Sequence, residues 1–252
     1  MRLNAPKGLG DAICLRAVAL HLVERGEPVE LFTPWPDVFA GLPVIARPPS
    51  EIDDDTDLRH VAACSCRIER VQALDMFTNA KQRAGVPDAE FRIDWRIQNK
   101  ALVLDLKRRA EGRPILVFQP VKRANTPAQA MVRPNTDAFG QLIAKQRECF
   151  RVKVGHPSFV DDDAHVPCEF DLFGKTSVSD VLDVVSAADR VFSEPCFLAI
   201  AAQAMNKHLV CMFSTRALAS DNPRVGNMRP QRIFHKPRLC MAVWDDQRGP
   251  YG

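Results

Sequence analysis

Residues 177–213 read SVSDVLDVVSAADRVFSEPCFLAIAAQAMNKHLVCMF. Ser177-Val178-Ser179-Asp180 has capping-box spacing, in which the first and fourth side chains satisfy each other's backbone N–H groups. Val181, Leu182, Val184, Val185 and Ala188 supply the apolar positions of the helix that follows. Arg190-Val191-Phe192 is a short strand, Phe197 to Asn206 an alanine-rich helix, and Leu209 to Phe213 the last clear strand. Helix, strand, helix and strand with such short connections predict parallel strands joined by helical crossovers. Ala199, Ala201, Ala202 and Ala204 let the second helix lie close to a sheet. Its N-terminus would face a ligand, with Ser193, Glu194 and Cys196 in the loop ahead of it. Glu194 can accept hydrogen bonds from a ribose diol there. Taken singly, it is more simply read, with Ser193, as a cap of the helix.

The alternation extends upstream. Ile115-Leu116-Val117-Phe118 is a continuous apolar strand of the kind buried on both faces. A helix opens at Asn135-Thr136-Asp137, and strands are expected at Phe150–Val154 and Phe170–Phe173. Gly112-Arg113-Pro114 breaks the pattern and divides the chain into expected domains 1–112 and 113–252. In the first, strands are expected at Val29–Thr33 and Leu58–Cys64, and helices at Arg67–Ala84 and Asn99–Ala110. Two α/β units with parallel sheets result. Ligands of such sheets bind beyond the carboxyl ends of the strands, so the cleft between the units is the expected site.

Near the N-terminus, Gly8-Leu9-Gly10-Asp11 joins a strand-like run, Arg2 to Ala5, to an amphipathic stretch, Ala12 to Arg25. Gly8 and Gly10 allow close backbone approach and positive φ at a helix N-terminus, where N–H groups face a ligand. Asp11 is then either an N-terminal helix carboxylate or a catalytic base. This feature alone favours the first.

The 252 residues are 46% hydrophobic and 26% charged, with a net charge of +3. That is an ordinary globular composition, and the charge does not argue for nucleic acid. The sequence has no membrane-length apolar run and no signal-peptide core, so a cytoplasmic location is expected. Of the eight cysteines only Cys64 and Cys66 lie close together; all eight read as reduced thiols. The six histidines show no zinc spacing, the acidic runs Asp53–Asp55 and Asp161–Asp163 read as solvated loops, and no metal site is expected. Trp35 and Trp95 could form an aromatic platform for a sugar or a base, but read better as core.

Gly8-Leu9-Gly10-Asp11-Ala12-Ile13 resembles the opening of heptosyltransferase-type (family 9) glycosyltransferases. Asp180-Val181-Leu182, Ala187-Ala188-Asp189-Arg190-Val191 and Ala201-Ala202-Gln203-Ala204-Met205-Asn206-Lys207 are similar to that family's donor-binding half. The resemblance implies a GT-B fold, with an N-terminal acceptor domain and a C-terminal nucleotide-sugar domain. It implies inverting, metal-independent transfer to an acceptor hydroxyl, with no cofactor beyond the nucleotide-sugar co-substrate. Asp11 would be the base, and Lys122 and Arg123, after the Ile115–Phe118 strand, would meet the diphosphate. As a basic pair in a loop they could equally be solvated. The acceptor would be a saccharide or another hydroxyl-bearing molecule; nucleic acid could serve but is not indicated by charge.

The chain departs from that family at one loop. The family's donor helix usually starts with Asp/Ser/Thr-Gly-Pro-x-His; residues 194–200 have neither that glycine nor that histidine. The long C-terminal helix usual in the family is not evident after Trp244. These departures point to the alternative of a non-catalytic, nucleotide-binding relative. A dinucleotide-dependent dehydrogenase is a weaker alternative, because Ile13 stands where G-x-G-x-x-G needs its third glycine.

Overall fold

The structure is a computed structural model, and it describes residues 1–4, 8–51, 76–121, 133–158, 166–215 and 234–245. The chain forms two compact units, Met1–Arg96 and Ile97–Gly252.

In the first unit, β1 (Arg2–Asn4), β2 (Glu30–Phe32) and β3 (Ile45–Arg47) form a parallel sheet in that order, with Leu3 opposite Leu31 and Leu31 opposite Ala46. Helix α1 (Leu9–Glu24) starts three residues before the expected Ala12. It is not amphipathic: Ala12 to Leu20 are buried without a break, and so is Leu22. A helix covered on every side belongs to a core, not a surface. Arg16 lies within that buried stretch. Its Nη1 donates to the carbonyls of Val38 (2.7 Å) and Ala40 (3.0 Å), and its Nη2 to that of Asp94 (3.2 Å). The guanidinium also stacks on Trp95, 5.0 Å from the ring centroid. Burial pulls its pKa down to about 10 against the pull of Asp94, so it stays charged at neutral pH. Helix α2 (Met76–Arg83) is the described part of the expected Arg67–Ala84 helix. The expected Leu58–Cys64 strand, and with it Cys64 and Cys66, lies outside the described residues.

The second unit begins with α3 (Lys100–Ala110). There follow β4 (Ile115–Phe118), α4 (Thr136–Ala144), β5 (Phe150–Lys153), β6 (Phe170–Asp171), α5 (Val178–Ala187), β7 (Arg190–Ser193), α6 (Phe197–Ala204), β8 (His208–Phe213) and β9 (Cys240–Trp244). The six strands are all parallel, in the order β6-β5-β4-β7-β8-β9. Leu116, Phe118, Phe192 and Met212 pack with Phe139 and Ile143 of α4 into one core layer. On α6, Ala199, Ala201, Ala202 and Ala204 are buried, as the close-packing argument requires.

The units divide at Arg96/Ile97, earlier than the Gly112–Pro114 break. At Glu111 (φ 51°) and Gly112 (φ 81°) the chain only turns out of α3. The start of α3 is fastened to α5. Asp183, fully buried, accepts the backbone N–H groups of Gln98 (3.0 Å) and Asn99 (2.6 Å), and Asn99 Nδ2 donates to Asp180 Oδ1 (2.9 Å). The Ser177–Asp180 capping box forms in full. The sequence reading had no strand β9, which extends the sheet edge beyond β8.

Candidate functional site

Two sets of candidate residues can be described, one in each unit. In the first, Gly8 is the N-cap of α1 at φ −79° and ψ 131°, and Ala12 N donates to its carbonyl (3.1 Å). Gly8 and Gly10 are not among the glycines at positive φ. The expectation of a left-handed turn there is corrected, because extended backbone at Gly8 already leads into the helix. The glycine serves clearance instead: a Cβ at Gly8 would collide with Asp11 Oδ2. The Asp11 carboxylate therefore folds back over its own helix N-terminus, against the backbone of Gly8. Asp11 belongs to the first turn of α1 and its Oδ1 is buried.

In the second unit the strand order reverses at β4, so β4 and β7 flank the switch point. Ligands of open parallel sheets sit at such a point, outside the carboxyl strand ends. Several of the unit's buried polar side chains follow or end strands along this carboxyl edge: Gln119 after β4 and Ser193 and Glu194 at the end of β7 flank the switch point, with Lys153 ending β5 and Ser214 after β8 on either side. Gln119 Nε2 reaches across the switch point to Cys196 Sγ at 3.8 Å. Ser193 Oγ donates to the Glu194 carbonyl (2.6 Å). Cys196, not Ser193 or Glu194, is the N-cap of α6, with no side-chain capping bond. The simple capping reading of Ser193 and Glu194 therefore gives way, and Glu194 stays a 5%-exposed carboxylate at the strand end. Burial, and then the Glu194 charge, push the Cys196 thiol up to about 11, so it is protonated at neutral pH and not a nucleophile. The other described cysteines, Cys14, Cys149, Cys168, Cys211 and Cys240, are thiols.

The sequence reading missed Gln119, Lys153, Ser214 and Arg133. Each ends or follows a strand, or precedes a helix, at the carboxyl edge, and their strand register becomes visible only once the topology is known. Lys153 is committed to Asp171, at 2.8 Å. Arg133 is half-buried just ahead of α4, whose N-cap is Asn135. Lys122 and Arg123 lie outside the described residues. Among the described residues, no three His, Cys, Asp or Glu side chains are placed to hold a metal ion. No described helix is long and apolar enough to cross a membrane.

No protein-family model matches the sequence, and no curated protein matches it. Solved structures do match. Escherichia coli ADP-heptose LPS heptosyltransferase II aligns over 98% of this chain and 92% of its own, at 12% identity and a TM-score of 0.58. The family 9 glycosyl transferase of Veillonella parvula aligns over 96% and 85%, at 10% identity and a TM-score of 0.64. The E. coli heptosyltransferase WaaC, solved with ADP-2-deoxy-2-fluoro heptose, aligns over 96% and 93%, at 10% identity and a TM-score of 0.52. The chain has the heptosyltransferase fold of GT-B type. At these identities the likeness speaks to the fold.

Proposed function

We propose that this protein is a glycosyltransferase that moves a sugar from a nucleotide-sugar donor to an acceptor hydroxyl, with inversion and without a metal. The observation that carries the reading is the heptosyltransferase fold, matched over nearly the whole chain. The carboxyl edge of the second sheet supports it, since buried amide, hydroxyl and carboxylate groups collect at the switch point. Glu194 accepts the hydroxyls of a ribose, and Gln119, Ser193 and Cys196 line the turn into α6. Lys122, Arg123 and Arg133 meet the diphosphate. Asp11 removes the proton from the acceptor hydroxyl as its oxygen attacks the anomeric carbon. The new C–O bond forms while the bond to the diphosphate breaks, and the nucleoside diphosphate leaves. A general base contributes about 10²–10⁴-fold. Positive charge offsets the charge that develops on the leaving group.

The test is a thermal-shift screen with nucleoside diphosphates, nucleotide sugars and NAD. A true donor at a hundredfold excess over Kd stabilises by about 2.7 kcal/mol. Glu194→Ala should weaken the nucleotide roughly tenfold to a hundredfold. Transfer should survive excess EDTA. Binding of NAD alone, or loss of transfer in EDTA with recovery in Mg²⁺, would overturn the reading. The departure at residues 194–200 favours a second reading, a nucleotide-binding relative without transferase activity. Nucleotide binding with no transfer to any saccharide acceptor is its signature.

A further inference from the structure

Asp245, directly after β9, joins three pieces of the second unit. Its Oδ1 accepts both Thr215 N and Thr215 Oγ1 at 2.9 Å, and its Oδ2 accepts Asn135 N at 3.1 Å. Its own N–H continues the β8–β9 ladder to the Phe213 carbonyl at 3.1 Å. Thr215 follows Ser214 at the exit of β8, and Asn135 is the residue whose side chain caps α4 through Ala138 N at 3.0 Å. One carboxylate therefore fixes where β8 ends relative to where α4 begins. Arg133 stands two positions before Asn135, with buried Pro134 between them. Ser214 Oγ, on the other side of the junction, is buried with no hydrogen-bond partner among the described residues. Native proteins leave few such groups, and those they leave call for a functional account.

We propose that Asp245 is the positioning residue of this rim. It holds the Ser214–Thr215 turn against the start of α4 and so presents Arg133 and Ser214 to the nucleotide diphosphate of the donor. The proposal rests on the donor reading above. The bonds are charge-assisted and go to backbone groups on two different elements, so the carboxylate sets a distance between them rather than filling a hole. In Asp245→Asn an amide N–H must face a backbone N–H on one side. One of the two elements is then released.

The experiment is calorimetric titration of the whole chain with ADP and with UDP. Wild type is expected to bind one of them. Asp245→Asn should lose about tenfold in affinity, and Arg133→Ala a similar factor. The double variant should lose little more than Arg133→Ala alone, because a positioning residue acts through the group it positions. Asp183→Asn, which loosens α3 on α5 in the same unit, should lower the melting temperature yet leave affinity unchanged, which separates positioning from general destabilisation. Wild-type affinity in Asp245→Asn, or fully multiplying losses in the double variant, overturns the proposal and leaves the donor reading intact. A wild-type protein that binds neither diphosphate overturns the proposal together with its application of the donor reading to this rim.

Discussion

At Gly8 one missing methyl group has two separable consequences. Its φ and ψ suit any residue, but alanine is a poorer N-cap than glycine, so Gly8→Ala should lower stability by up to about 1 kcal/mol. The same Cβ would push the Asp11 carboxylate off the helix N-terminus. We therefore expect Gly8→Ala to melt slightly below the wild-type temperature while losing most of the proposed transfer rate, a loss far larger than the small change in stability. Asp11→Asn should keep fold and nucleotide binding and lose roughly 10²–10⁴-fold in turnover. Near wild-type turnover in Asp11→Asn would remove Asp11 as the base. A melting temperature that drops sharply in the same variant would mark the carboxylate as structural. The sequence made both the capping and the basic reading available. It could not show that the glycine exists to clear the aspartate, because that depends on the direction of a side chain.

Among the elements, α3 depends on its neighbour. Asp183 of α5 takes the first N–H groups ahead of α3, so removing it leaves buried donors unpaired. Asp183→Ala should cost roughly 2–3 kcal/mol, and Asp183→Asn, which retains one acceptor oxygen, less. Chemical denaturation with both variants checks this; equal midpoints for wild type and Asp183→Ala would show that solvent replaces the carboxylate without loss. Elements with a strong local signature were legible in the sequence: the Ser177 capping box, the four apolar residues of β4, and the alanines of α6. The domain boundary was less so, because Gly112 and Pro114 are a strong local break and the bonds from Asp183 and Asp180 to the start of α3 are long-range. Strand β9 escaped because Cys240-Met241-Ala242-Val243-Trp244 is a short mixed run whose strand character comes from pairing with β8. Of the candidate site, Glu194 and Ser193 could be found from the loop that holds them. Gln119, Lys153 and Ser214 could not, since only the strand order puts them on the same edge of the sheet.

At the scale of the whole molecule, acid is the informative stress. Asp171, Asp180 and Glu169 are all held below their ordinary values. Burial opposes the shift in each; it is outweighed by Lys153 at Asp171, by Asn99 and Ser177 at Asp180, and by Arg151 at Glu169. A carboxyl depressed in the folded state adds stability above its unfolded pKa, and that stability is lost as pH falls through the folded one. Stability should thus hold level from about pH 5 to about pH 8 and fall steeply below about pH 4. Asp180→Asn should make the acid limb shallower, measured as melting temperature against pH. An unchanged limb would show that Asp180 contributes nothing to it.

Helix α1 carries Asp11 in its first turn and is anchored five residues later by Arg16, whose three carbonyl partners fix both its depth and its rotation. A rod gripped in that way behaves as a ruler. Each residue advances an α-helix by about 1.5 Å and turns it by about 100°. A single residue inserted or deleted between Ala12 and Leu15 would swing the carboxylate a quarter-turn or more around the axis, with the anchor still seated. Substitutions that preserve volume can accumulate along this helix, but changes of length cannot. Lineages of such a chain should therefore vary in the identity of these four residues and never in their number.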